Sequence, residues 1–228
     1  MSGCTSVTWT PPAVSVWHDD ATVNGLRYPT RHLIPDWADN SDDLLDALTD
    51  EQRDHMRAVH ETAHAIVALA AGGYVHRAVT RRTADLRATA DRLTGGHQVG
   101  GHVATCNVAD GRDFVTFLGA GERAEDRWLR ETGLWTPTVA VGVEYGAYTD
   151  RREVLDRNPG LGFEGGHNDF LIVHELADQA VAEHWAAITA VAGVLAARLC
   201  LTGDEIADLA GLPNGTHSNT CTERTEVR

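Results

Sequence analysis

The chain has 228 residues and no lysine: all 19 of its basic residues are arginines, set against 33 acidic ones, for a formal net charge of −14. Without lysine no Schiff base can form, and no P-loop lysine can hold the phosphates of a nucleotide. The shortage of positive charge also weighs against nucleic acid as a partner, because grip on a phosphate backbone comes from clustered cations. Cysteine is scarce as well. Cys4, Cys106, Cys200 and Cys221 are scattered without a CxxC pair, so neither a disulfide framework nor a zinc–thiolate knuckle can be read in their spacing. Met1 to Pro12 show no basic n-region and no apolar h-region, and no secretory signal is expected. The longest uncharged apolar stretch, Trp185 to Ala197, is shorter than the about 20 residues that cross a bilayer. The expected setting is a reducing cytoplasm, with no membrane partner.

What is present is enough for a core of ordinary size, since 43% of the residues are hydrophobic. Residues 1–50 read as an N-terminal extension packing on the core: Trp9, Pro11, Pro12, Trp17, Pro29 and Pro35 punctuate it without a period, and an acidic run from Asp36 to Asp50 follows. From Thr49 the pattern turns helical. Thr49 or Asp50 is a plausible cap, and Met56, Val59, Ala63, Ile66, Val67 and Ala70 recur at helical spacing until Gly72 and Gly73. Val75 to Arg82 and Gln98 to Val108 predict a small β-ribbon joined by an arginine-studded link. Phe114 to Leu129 is again helical, whereas residues 131–166 are irregular and are expected to form a long active-site loop. A helix should follow Gly165-Gly166, break near Glu183, and give way to an alanine-rich core helix over Trp185 to Leu199. Thr202 and Glu205 form a capping-box pair for a last helix, and residues 212–228 read as a polar C-terminal tail that frays. The fold class predicted is mainly α with a small β-ribbon.

The sharpest motif is His60-Glu61-Thr62-Ala63-His64, an HExxH on the first of these helices. Histidines four residues apart project from one helical face, so both imidazoles can reach one Zn²⁺. The glutamate beside the first can take a proton from a zinc-activated water. With 12 His and 13 Glu in the chain, roughly 0.04 such motifs arise by chance if positions are independent. The helical setting, with Val59, Ala63 and Ile66 seating the motif in a core, therefore favours a real zinc site. A third protein ligand is needed, and Val67 and Ala70 stand where a metzincin pattern would have Gly and His. No glutamate lies between Glu61 and Glu122, so the downstream glutamate of a thermolysin-like site is missing too. That ligand must come from farther along the chain.

Several motifs, in order, resemble the peptidase domain of the FtsH-type AAA zinc metalloproteases. Glu51-Gln52-Arg53, Val59-His60-Glu61-Thr62-Ala63-His64-Ala65-Ile66-Val67 and Val75-His76-Arg77 are similar to that family's zinc helix and the strand after it. Leu118 to Asp126, with Ala120-Gly121 and Ala124-Glu125-Asp126, resembles its helix with a small-residue turn and an acidic pair. Gly165-Gly166-His167-Asn168-Asp169-Phe170 looks like its glycine-led Asn-Asp motif, and Leu201-Thr202-Gly203-Asp204-Glu205-Ile206 resembles its closing helix. The resemblance covers residues 51–211. It implies an FtsH-peptidase-like helical zinc-metallopeptidase domain in which His60, His64 and Asp169 bind Zn²⁺ and Glu61 is the general base. Glu125 would orient a histidine ligand, or less plausibly bind the ion itself.

Departures limit what carries over. The 228 residues hold no AAA module and no P-loop, Ala63 replaces the family's usual glycine, and the span from Glu125-Asp126 to Asp169 is long. The expectation is an ATP-independent metallopeptidase, acting on a polypeptide or peptide-like substrate, with a separate ATPase or adaptor as a conceivable partner and a smaller oligomer than the family's hexamer. His167 and His174 are candidates to touch a substrate oxyanion, each weighed against an ordinary surface or capping role. His102 lies on the strand where a peptide could add by β-augmentation. Arg77, Arg81, Arg82, Arg87 and Arg92 read first as a solvated link, with attraction of acidic substrate as the second reading. Two rivals stand beside the peptidase: a zinc hydrolase tailoring a small peptide-like metabolite, and a non-catalytic interaction module with structural zinc. The second has no use for Glu61.

Overall fold

The computed structural model describes residues 22–23, 26–27, 44–90, 100–108, 111–158, 160–161 and 170–217. Its first long element, α1 (Asp50–Ala70), starts where the sequence places it. Thr49 caps it in a full capping box: the Gln52 amide donates to Thr49 Oγ1 at 3.2 Å and the Thr49 amide to Gln52 Oε1 at 2.8 Å. Strand β3 (Tyr74–Thr80) follows and pairs antiparallel with β4 (Gly101–Cys106), which is the predicted ribbon. Two shorter strands, β1 (Thr22–Val23) and β2 (Leu26–Arg27), pair with each other upstream. The arginine link contains a short helix, α2 (Thr83–Ala90), which the sequence reading missed. It is tied to α1 by Asp54, whose Oδ1 accepts from the Thr83 amide and hydroxyl, each at 2.7 Å.

Three long helices make the core. α1 packs on α3 (Arg112–Thr132) and on α6 (Leu171–Arg198), and these two pack on each other. Val59, Ala63 and Ile66 of α1, Leu118, Ala120 and Ala124 of α3, and Val173, Val181, Ile188 and Leu195 of α6 are all buried in one cluster. α6 is a single helix of 28 residues, so the break expected near Glu183 does not occur. Glu183 lies on its exposed face, where charge costs the helix nothing, while the buried residues recur at helical spacing on the other side. By length and composition alone α6 is apolar enough to cross a membrane, a test that the core helix of a soluble protein also passes.

The irregular 131–166 segment is largely helical. It contains α4 (Pro137–Gly146) and α5 (Tyr148–Arg157) in place of one long loop. Pro137 and the glycines read as loop punctuation, but Pro137 sits at the first turn of α4, where its missing N–H is harmless, and Thr136 Oγ1 accepts from the Val139 amide at 3.2 Å. After α6 the chain forms β5 (Cys200–Thr202), a third strand on the far side of β3, giving an antiparallel sheet of order β4-β3-β5. Thr202 then caps α7 (Gly203–Ala210) with Glu205, as its sequence predicts. The architecture is thus mainly α, with seven helices and a small three-stranded antiparallel sheet among the described residues. Residues 212–217, expected to fray, lie against the sheet instead: Asn214 Nδ2 donates to the Val75 carbonyl at 3.0 Å and its Oδ1 accepts from the Val75 amide at 2.9 Å.

Candidate metal centre

α1 presents His60 and His64 toward α3, one turn apart, with their Nε2 atoms 3.0 Å from each other. α5 brings Asp150 to the same point, its Oδ2 lying 3.3 Å from His60 Nε2 and 3.4 Å from His64 Nε2. Ligand atoms of a tetrahedral ion bound at ~2.0–2.1 Å stand about 3.3 Å apart. The three donors are therefore already at the spacing of a shared ion. Their tautomers are also fixed from behind. His64 Nδ1 donates to the Phe117 carbonyl at 2.6 Å, and His60 Nδ1 faces Glu125 Oε2 at 3.2 Å, so both Nε2 lone pairs are left to point at the common centre. Two lone pairs and a carboxylate oxygen at such distances repel unless a cation lies between them.

Room for that cation comes from Gly121 on α3. A Cβ there would stand 2.5 Å from both His60 Nε2 and His64 Nε2, filling the place where the donors meet. The electrostatics agree. Burial would depress the His60 imidazole, but Glu125 and Asp150 outweigh it and raise its pKa well above the ordinary value. Burial would likewise raise Asp150, yet His64 and His60 hold its carboxyl well below the usual range. The site draws positive charge, a proton or a metal ion. Asp150 keeps 26% of its side chain exposed, against 13% and 6% for the histidines, and is the most exposed of the three donors.

Glu61 lies beside this centre and against β4, where a Cβ on Gly101 would stand 2.5 Å from Glu61 Oε1. Only glycine lets the strand pass so close to the carboxylate. Burial raises the Glu61 carboxyl to about 7, against the opposing pull of His60 and His64. Such a group can take and release a proton near neutrality.

Asp150 is held by its neighbour. Arg151 is buried, and its Nε donates to Glu122 Oε2 on α3 at 2.6 Å, which pins α5 to the helix that carries Gly121 and Glu125. His174 of α6 joins this buried network with Nε2 3.3 Å from Glu122 Oε1. Burial would raise the Glu122 carboxyl, but Arg151 and His174 outweigh it and keep it ionised well below the usual range. His174 is 4% exposed, so its contacts are with this network and not with solvent.

Of the residues singled out in the sequence, His60, His64, Glu61 and Glu125 come together as described, with Glu125 behind a histidine. His102 is on β4 opposite Val79. Asp169 and His167, the third ligand and oxyanion candidate of the family resemblance, lie outside the described residues, as does Arg92. Arg87 is paired with Asp50 at 2.6 Å, and Arg82 lies 3.8 Å from Asp54. Asp150 was missed. Its signal was slight, an acidic residue in the first turn of a short helix without a side-chain cap. No family model and no curated protein matches the chain.

Proposed function

We propose that the protein is a zinc-dependent hydrolase of peptide bonds, in which His60, His64 and a carboxylate hold the ion and Glu61 is the general base. The observation that carries this reading is the convergence of two imidazole nitrogens and Asp150 on a space cleared by Gly121, with Glu61 alongside. Zinc bound there would supply Lewis acidity and lower the pKa of water at the site. Glu61 takes the proton of the attacking water at its carboxylate and passes it to the leaving amine nitrogen, a relay that its raised pKa suits. Glu125 and the Phe117 carbonyl keep the two imidazoles in the ligating tautomer.

A polypeptide fits better than a small metabolite because of β4. Among the described residues β4 pairs only with β3, and Gly101 at its start lies against Glu61. An extended chain added along the side of β4 away from β3 would pass the base. The order of motifs resembling the FtsH-type peptidases supports the same chemistry without an ATPase in these 228 residues. Our reading takes Asp150 as the third ligand on its geometry, the family resemblance giving Asp169. The expected action is cytoplasmic, on flexible polypeptide delivered with or without a separate ATPase.

The test is metal content combined with cleavage of casein or a peptide library. Wild type should bind zinc and release new amines. Glu61→Gln should keep the ion at His60 and His64 and lose about 10²–10⁴-fold in rate. Zinc bound with no amine released from any peptide would sink the peptidase reading.

A further inference from the structure

A second group of metal-ligating side chains lies at the other end of the ribbon. A ring nitrogen of His76, Sγ of Cys106 and a ring nitrogen of His217 all lie within 4.8 Å of one another. They come from three segments, β3, β4 and the stretch after α7, so no spacing rule could have joined them. Cys106 faces Tyr74 across the β3–β4 pair, and the register slips between Val75 and Arg77 so that His76 is the extra, bulged residue. A bulge of this kind re-aims a side chain. The rings of Tyr74, His76 and His217 meet edge to face, with centroids 4.9–5.1 Å apart, which packs the two imidazoles on one tyrosine.

His217 is held there by a chain of specific contacts. Asn214 bonds both the amide and the carbonyl of Val75, the residue between Tyr74 and His76, and also donates to Asp204 Oδ1 at 2.9 Å. The Gly215 amide donates to the Gly73 carbonyl at 3.1 Å. Asn107, directly after Cys106 and in the left-handed region at φ 61°, donates from Nδ2 to the Thr216 carbonyl at 2.7 Å. The residues flanking both Cys106 and His217 are thus bonded to each other. Cys106 is a free thiol.

We propose that His76, Cys106 and His217 form a second metal site, taking a zinc-class ion through two imidazole nitrogens and a thiolate. That donor set suits borderline and soft ions, and binding would release the thiol proton. Donors around tetrahedral zinc stand about 3.3–3.6 Å apart, so closing on an ion takes a movement of about 1 Å, which the exposed His217 can supply. Gly101, against which the Glu61 carboxylate lies, pairs with Thr80, and Cys106 pairs with Tyr74, so Glu61 and the second centre lie toward opposite ends of one ribbon. At ~3.3 Å of rise per residue those ends are roughly 17 Å apart along β4. The second ion would clasp the 212–217 segment onto the ribbon that flanks the first site.

Cobalt(II) substitution tests this, because only a site containing cysteine gives a thiolate-to-metal charge-transfer band in the near ultraviolet. Wild type should take two equivalents per chain and show the band. Cys106→Ser should abolish the band, and His217→Ala should weaken the equivalent that carries it by at least about 100-fold, both retaining the wild-type far-ultraviolet circular dichroism. His60→Ala/His64→Ala should lose the other equivalent and keep the band, so failure of the helix-borne centre is seen separately. No band in wild type, or a band unaffected by Cys106→Ser, would overturn the proposal. His217→Ala is a surface change in the last described residues, and a band of unchanged affinity in that variant would equally remove His217 from the site.

Discussion

The two clusters at the ends of the ribbon use similar donors in opposite ways. The helix-borne one is built from rigid parts: two histidines a turn apart on a buried helix, each backed by an acceptor, and a carboxylate locked by the buried Arg151–Glu122 pair. Its donors stand 3.0–3.4 Å apart. The ribbon cluster has its donors within a looser 4.8 Å, one of them exposed, and depends on hydrogen bonds from asparagines to hold a peripheral segment in place. Acidic groups surround the first, with Glu61, Glu125 and Asp150 all at hand, whereas amides and a tyrosine ring surround the second. The contrast separates chemistry from fastening. On the proposed readings, the base beside the first centre would serve a reaction, and a metal held by the second would serve cohesion.

The sharpest way to break that contrast is Gly121→Ala. Its methyl would occupy the space between His60 and His64, so the helix-borne centre should lose its ion and all hydrolysis, while the ribbon centre keeps its cobalt band. Full activity in this variant would mean that the histidines do not share an ion at that point.

Smaller is the effect of the third ligand. Asp150→Asn should weaken zinc at the helix-borne centre by about 100-fold or more, a loss at or above that from an outer-sphere partner. Asp169→Asn should leave that affinity near wild type if Asp150 is the ligand. The reverse pattern, measured by competition with a chromophoric chelator, would transfer the role to Asp169 and leave Asp150 as a neighbour.

Why Asp150 escaped the sequence reading is a matter of physics. HExxH is legible because one helix supplies both histidines at a fixed spacing, and Thr49 with Gln52 or Thr202 with Glu205 announce helix starts by local chemistry. Asp150 is placed by a contact between Arg151 and Glu122, 29 residues apart in sequence and buried in the tertiary structure. No local pattern records such a pair. β5 has three residues, too few for a period, and α6 runs on through Glu183 because tertiary packing of its other face outweighs the local sign of a break. The 212–217 segment looks polar because its polar groups are the ones that dock it, Asn214 onto Val75 above all.

Acid should weaken the helix-borne centre more than its donors' ordinary pKa values would indicate. In the metal-free protein His60 has a raised pKa, so below it an incoming ion must displace a proton. Zinc affinity should then rise with pH by about tenfold per unit until His60 deprotonates, and level off above. The metal-free fold behaves oppositely. The His60 contribution to stability is fully present below the unfolded-state value of about 6.5 and is lost as pH rises through the higher folded value. Calorimetric zinc titrations across pH would check the first. A flat profile would mean that no proton competes at His60.

The smallest expected effect belongs to the fastening. Asn214→Ala removes the hydrogen bonds to both polar groups of Val75 and to Asp204, and should cost about 1–3 kcal/mol, a few bonds at their usual net worth. Because Val75 lies between Tyr74 and His76, the same change loosens the segment carrying His217, leaving it the Gly215–Gly73 and Asn107–Thr216 bonds. The cobalt band should therefore weaken, and the helix-borne equivalent and the hydrolysis rate should stay near wild type. If rate and band fell together, the two ends of the ribbon would be coupled through β3 and β4, and the separation of chemistry from fastening would fail. If neither moved, the Asn107 bond to Thr216 would be sufficient to hold His217, and the double variant Asn107→Ala/Asn214→Ala would be the one to release it.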